Sequence, residues 1–252
     1  PKESIVALNS STLTFNNLCF SYSNDKSLTI NNLSFKIKPN SMIALVGPSG
    51  SGKTTIVDLL TGILQPDSGS IIYNDRPLNH YSLQSWRSRI GYVSQDLTIF
   101  DDTVYNNICL FDTHADQFSI ENAARMALAH EFIEKLPFGY HTPIGDRGVR
   151  LSGGQKQRLF IARELYKKPD LLILDEATSA LDSQSEKFIQ ASINKLKGLV
   201  TVIIIAHRLS TIRNVDEIYV IEQGRVVESG SYESLTFTTS SRFSKMVKLQ
   251  EF

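Results

Sequence analysis

The segment Gly47-Pro48-Ser49-Gly50-Ser51-Gly52-Lys53-Thr54 lies between the apolar run Met42-Ile43-Ala44-Leu45-Val46 and the helix-like Thr55-Ile56-Val57-Asp58-Leu59-Leu60. A strand, a glycine-rich loop and a helix in that order form an anion cradle. The glycines let backbone N–H groups close around phosphates, and the partial positive charge of the helix N-terminus favours them. Gly47, four residues, then Gly52-Lys53-Thr54 is the spacing of a P-loop. In such a loop Lys53 reaches the β- and γ-phosphates of a nucleotide, and Thr54 offers the hydroxyl that holds Mg²⁺. A plain Gly/Ser turn before a helix is the competing reading, and the flanking strand and helix weigh against it.

The rest of the chain supplies a fold for that loop. From 13 to 37 apolar and polar residues alternate, as LTFNNLCFSY and LTINNLSFKI with Asn-Asp between, which predicts antiparallel strands around a turn. Ser70-Ile71-Ile72-Tyr73 before Asn74-Asp75 predicts a strand and turn, and 90–93 another short strand. The pattern then becomes helical, with Ile120, Ala123, Ala124, Ala127 and Leu128 on one face. Residues 96–169 are therefore expected to be an inserted α-helical subdomain, and 1–95 with 170–252 the catalytic core and its N-terminal β subdomain.

Leu151-Ser152-Gly153-Gly154-Gln155 opens a helix over 156–168 that Pro169 stops. Leu171-Leu172-Ile173-Leu174 is continuously apolar, as in a parallel strand covered on both faces, and ends in Asp175-Glu176. The spacing then predicts a helix over 183–196 with Phe188, Ile189, Ile193 and Leu196 inward, and a strand over 201–206. Strands over 217–222 and 225–228 turn at Gln223-Gly224, and an amphipathic helix over 241–250 uses Phe243, Met246 and Val247. Strands alternating with helices make the fold class α/β: a P-loop NTPase core with a mainly parallel sheet and its ligand at the strands' carboxyl ends.

Composition excludes several roles. Lys plus Arg and Asp plus Glu number 26 each, so no net field draws the chain to nucleic acid, and no nucleic-acid partner is expected. With 252 residues, 41% of them hydrophobic, the chain can build a large core. Cys19 and Cys109 sit in apolar surroundings and read as small buried hydrophobes in a reducing compartment. No apolar run approaches the roughly 18 residues of a membrane span, and no signal peptide is evident, so the chain itself is expected to be soluble. It starts at Pro1 rather than at methionine, as a piece of a longer polypeptide or a processed product would.

Asp175 at a strand end can hold Mg²⁺ through water, and Glu176 can orient and deprotonate an attacking water. Alone, an Asp-Glu pair reads more readily as a solvated loop; the P-loop and the doubly buried strand reverse that. The stretch from Leu151 to Gln155 is more telling. Physically it is a second glycine-opened helix N-terminus, an anion site without its own lysine. Together GPSGSGKT, LSGGQ and LLILDEAT, in this order, resemble the nucleotide-binding domain of ABC transporters over essentially the whole chain.

The resemblance implies ATP and Mg²⁺ as cofactors and a site shared by two subunits. The P-loop, Gly47 to Thr55, would bind one face of the nucleotide, and Ser152, Gly153, Gly154 and Gln155 would close on it from the partner. It also implies that Tyr22, in Phe-Ser-Tyr, stacks on adenine, and that Gln95, after Ile90-Gly91-Tyr92-Val93-Ser94, touches the metal and hinges the helical lobe. Asp182 ends Ser179-Ala180-Leu181-Asp182, the loop that crosses the dimer. His207 would contact the γ-phosphate and help hold the transition state. The implied catalytic set is Lys53, Gln95, Glu176 and His207, and the metal set is Thr54, Gln95 and Asp175. His80, His114, His130 and His141 match nothing in the family and read as surface or packing residues, as do Met42, Trp86, Arg87 and Arg89.

Thr142-Pro143-Ile144-Gly145-Asp146-Arg147-Gly148 resembles a loop of exporter-type members, with Asp146 where Glu is commoner. The expected protein is an ATP-hydrolysing domain fused behind a transmembrane half, on the cytoplasmic face of the plasma (inner) membrane. It would close head to tail with a second copy, as a homodimer. Residues 98–107, just after Gln95, are the expected membrane-domain contact. The alternatives are an importer ATPase, which is more often a free-standing chain with extra C-terminal material, and a soluble ABC ATPase of DNA repair or translation. DNA-repair members carry a long coiled coil between the two motifs, and no extended heptad pattern separates Thr54 from Leu151. A small-molecule P-loop kinase would lack LSGGQ.

Overall fold

The computed structural model describes residues 11–22, 27–94, 96–146, 148–175, 183–206, 208–238 and 240–250. Strands β1 (Leu13–Phe20) and β2 (Ile30–Ile37) pair antiparallel, with Leu13 opposite Ile37 and Phe20 opposite Ile30. Their buried residues are Leu13, Phe15, Leu18 and Phe20 on one strand and Ile30, Leu33, Phe35 and Ile37 on the other. Each set changes parity once, and the ladder register shifts between Phe15 and Leu18. Asn17 and Asn32 there have φ of 47° and 51°, a conformation Asn tolerates, so a bulge returns each apolar set to a single face. The Asn-Asp turn expected between the strands lies outside the described residues.

After β3 (Met42–Val46) comes α1 (Lys53–Leu60), then β4 (Ser68–Tyr73) and β5 (Arg76–Pro77), which extend the antiparallel sheet in the order β2-β1-β4-β5. Next are α2 (Leu83–Arg87) and β6 (Ile90–Val93). A mostly helical stretch follows: β7 (Asp102–Thr103), α3 (Val104–Cys109), α4 (Gln117–Met126), α5 (His130–Glu134), β8 (Pro143–Ile144) and α6 (Gly153–Tyr166). The chain closes with β9 (Leu171–Asp175), α7 (Ser183–Leu196), β10 (Thr201–Ile205), β11 (Glu217–Glu222), β12 (Arg225–Gly230), α8 (Tyr232–Phe237) and α9 (Arg242–Gln250).

The central sheet runs β12-β11-β3-β10-β9-β6, with every pairing parallel except the β11–β12 hairpin. Its continuous apolar runs divide by strand alternation. Ile43, Leu45, Leu171, Ile173, Ile203 and Ile205 face α1 and the antiparallel sheet; Met42, Ala44, Val46, Leu172, Leu174, Val202 and Ile204 face the helical side. The β1–β4 sheet thus packs over α1 rather than standing apart. Trp86 and Arg87, expected to be mere packing or surface residues, cap the far end of α1: Trp86 Nε1 donates to Leu60 O (2.7 Å), and Arg87 donates to Thr61 O and Gly62 O.

Three expectations need correction. Phe188 on α7 is 40% exposed rather than inward, and its ring packs against the Arg158 guanidinium at 4.8 Å instead of entering the apolar core. Leu128 is not part of the α4 stripe: the helix ends at Met126 and Leu128 turns left-handed, φ 53°. Cys19 is only half-buried, its sulfur accepting the Asn32 N–H at 3.3 Å; Cys109 is buried as expected.

Candidate functional site

The loop after β3 is shaped by close backbone approach. A Cβ on Gly47 would lie 2.1 Å from the Ile221 carbonyl oxygen on β11, so nothing larger than glycine can leave the sheet there. Gly52, the N-cap of α1, has φ 105° and offers no side-chain cap, and the first turn holds no acidic residue. The first N–H groups of α1 therefore point out of the helix toward an external acceptor. Lys53 is buried; its Nζ donates to Gly47 O (2.9 Å), Pro48 O (3.0 Å) and Ser51 Oγ (3.5 Å). The loop thus wraps its own ammonium, holding a positive charge at the helix mouth. Ser51 O accepts from Gly224 N and Gly224 O from Asn31 N, so the β11–β12 turn ties the loop to β2.

Tyr22 stands at the rim of this cradle. Its ring is 61% exposed, edge-on to Phe20 at 4.9 Å, and its hydroxyl shares a 3.0 Å hydrogen bond with Thr55 Oγ1 on the first turn of α1. A flat, accessible ring beside a phosphate cradle is a stacking surface for a base.

On the other side of α1, β9 brings Asp175 to the same edge of the sheet. Tyr92 on β6 donates to Asp175 Oδ2 at 2.8 Å. Burial first, and then that bond, push the Tyr92 phenol far above its ordinary range, so it remains a protonated donor. Asp58, one helical turn beyond Thr54, has its carboxyl pushed up by burial and then by the charge of Asp175. Thr54 and Asp58 share a face of α1 one turn apart, and Asp58 feels the charge of Asp175, so the three side chains offer hard oxygen donors of the kind that suit Mg²⁺. Neither Tyr92 nor Asp58 was singled out by sequence: one reads as a strand packing residue, the other as a helix residue among apolar neighbours.

Ser152 to Gln155 form the start of α6 as a capping box. Gln155 N donates to Ser152 Oγ (3.3 Å), and Ser152 N donates to Gln155 Oε1 (2.9 Å). Gly154 meets α7 directly: a Cβ there would lie 2.3 Å from Ser185 Oγ. Arg158, one turn on, sits between the Phe132 and Phe188 rings and donates to Leu128 O. Farther along, Arg163 donates to Asn107 O (2.7 Å), Asn107 Oδ1 and Thr98 O, and the buried Asn107 side chain in turn holds Phe100 and Thr103. The segment 98–107 is thereby bolted to α6.

The fold therefore gathers the P-loop, Tyr22, Thr54 and Asp175 around α1, while the hydrogen bonds of Ser152 and Gln155 described here stay within the start of α6. Gln95, Glu176, Asp182 and His207 lie outside the described residues. The strands that precede three of them, β6, β9 and β10, are adjacent and parallel to one another.

A family model described as ABC transporter matches residues 30–179. The ATP-dependent lipid A-core flippase of Chromohalobacter salexigens is 46% identical over 221 residues, covering 88% of this chain and 38% of that protein. P-glycoprotein 14 of Caenorhabditis elegans is 43% identical across 94% of this chain and 18% of its own length. Among solved structures, a bacterial Atm1-family ABC exporter with ATP bound superposes with a TM-score of 0.88 at 39% identity, over all of this chain and 43% of that one. The chain spans about two fifths of the length of the flippases it matches, at 38% and 41% for two of them.

Proposed function

The chain belongs to the ABC transporter family, as an exporter-type ATPase domain that binds ATP, and on that premise we propose that it powers export by closing head to tail on a second copy, hydrolysing Mg-ATP and reopening. The membrane helices it drives would lie elsewhere in a longer polypeptide, with this domain on the cytoplasmic face of the plasma membrane. The observation that carries the reading is the ring of loop oxygens around Lys53 Nζ at the uncapped mouth of α1. A ring of that kind exchanges its carbonyl contacts for the β- and γ-phosphate oxygens without moving the charge.

Lys53 and the P-loop, Gly47 to Thr55, with the backbone N–H groups of its residues other than Pro48, are assigned to the phosphates, Tyr22 to the base, and Thr54, Asp175 and Gln95 to Mg²⁺. When bound, that ion would neutralise charge developing on the phosphates. Glu176 is assigned as general base, His207 as the γ-phosphate contact, and Asp182 and Ser152 to Gln155 as contacts to the partner's nucleotide. Residues 96–169 act as the lobe that carries the second anion site.

Tyr22 stacking contributes about 1 kcal/mol and reads no hydrogen-bonding edge, so GTP should be hydrolysed within roughly tenfold of ATP. A preference above a hundredfold in steady-state assays would require an edge-reading contact at the rim.

The membrane contact is assigned to 98–107. Phe100, half exposed and edge-on to the exposed Phe111 ring, offers an apolar patch there, and Arg163 links it to the helix that opens with Ser152 to Gln155. In the full-length transporter, cysteine at Thr98 or Asp101 should cross-link to a cytosolic loop of the membrane domain. Products forming elsewhere and none here would overturn that assignment.

A further inference from the structure

We propose that Tyr92 is a positioning residue for the metal carboxylate, its hydroxyl fixing which oxygen of Asp175 is turned toward the divalent cation. The inference rests on the reading of Asp175 as a metal ligand. In the β6–β9 pair Tyr92 lies opposite Ile173, two residues short of Asp175 on the same face of the sheet, and a phenol spans that step. The residue is anchored through its side chain and through its backbone. Its hydroxyl donates to Asp175 Oδ2, and its backbone N–H donates to Glu164 Oε2 at 3.2 Å on α6, where Lys167 also holds Glu164.

A short carboxylate at a strand terminus rotates unless something holds it, and Asp58 on α1 repels it from the side. The phenol counters both effects by occupying one oxygen and leaving the other for the cation. Nothing else described in the site donates to Asp175, so the orientation depends on this hydroxyl. Because the same residue is tied to α6, the metal site and the helix of Ser152 to Gln155 share a support.

Tyr92→Phe keeps the ring and removes only the donor. Outer partners of metal ligands typically govern metal affinity about 10–100-fold. Mn²⁺ binding to the protein with a non-hydrolysable ATP analogue, followed by electron paramagnetic resonance, should weaken about tenfold in Tyr92→Phe. The Mg²⁺ activation curve of the ATPase should shift to higher concentration by a similar factor, with kcat recovering at saturating Mg²⁺. Nucleotide affinity in EDTA should match wild type, which a general loosening of the site would not allow. Wild-type Mn²⁺ affinity in Tyr92→Phe would overturn the proposal. So would a further weakening by Tyr92→Phe in an Asp175→Asn background, since the tyrosine would then act through another group. If Asp175→Asn alone leaves Mn²⁺ affinity untouched, the metal assignment of Asp175 fails first and the proposal falls with it.

Discussion

Gly154→Ala is expected to lower the ATPase rate by about 10², and Ser185→Gly in the same chain to restore most of it. Gly154 lies inside α6 with no positive φ, so alanine there suits the backbone and would by itself favour the helix by roughly 0.5–1 kcal/mol. The obstacle is α7. The added methyl would lie 2.3 Å from Ser185 Oγ and 2.5 Å from Ser185 Cβ, both far inside contact distance, whereas the Ser185 Cα at 3.4 Å is ordinary contact. One helix must shift by about 1 Å, and a displacement of that size at a catalytic surface can cost about 10². Ser185→Ala keeps the offending Cβ and should not rescue; Ser185→Gly removes it and should. Steady-state rates, with far-ultraviolet circular dichroism to confirm equal folding, decide the matter. A wild-type rate in Gly154→Ala, or a double variant no better than the single one, would show that the Gly154–Ser185 contact does not set the position of α6.

The P-loop was readable because its chemistry resides in the backbone, where spacing and glycine content carry the whole signal. The central strands were readable for a related reason: runs such as Leu171 to Leu174 bury both faces, so every position is apolar. The failures occur where a distant element decides. Phe188 fits a helical stripe, but the cation that covers it belongs to Arg158 on another helix. Leu128 continues the period of α4 after the backbone has already turned, with its N–H bonded to Arg125 O. Tyr92 looked like any strand tyrosine because β6 and β9 are neighbours in the sheet but separated in sequence by the whole helical stretch. Trp86 and Arg87 gain their capping role only once β6 brings α2 back against the end of α1.

Lys53→Ala and Ser152→Arg should each be nearly inactive alone, yet recover activity when mixed. In the proposed reading Lys53 supplies charge on one side of the γ-phosphate and Ser152 opens a second anion-binding helix; Lys53 Nζ donates to its own loop, and the Ser152 side chain is taken up in the cap of α6. On the proposed head-to-tail reading each site is shared: Lys53→Ala would spoil the site of its own P-loop, while Ser152→Arg would spoil its partner's by setting a bulky side chain against the phosphates. In a mixed dimer one site receives both lesions, and the other pairs an intact P-loop with an intact Ser152 to Gln155. At equal amounts half the dimers are mixed, so about a quarter of the wild-type rate should return if the sites act independently. Ser152 also caps α6 through Gln155 N, so its loss costs about 1 kcal/mol of helix stability, and circular dichroism must show that the variant is folded. Light scattering on the same mixture establishes that dimers form even if Lys53→Ala weakens closure. In wild type the specific activity should rise with protein concentration while dimers are scarce, because association and turnover are linked. Mixed dimers that form without ATPase activity, together with a wild-type rate strictly proportional to concentration, would rule out the shared site.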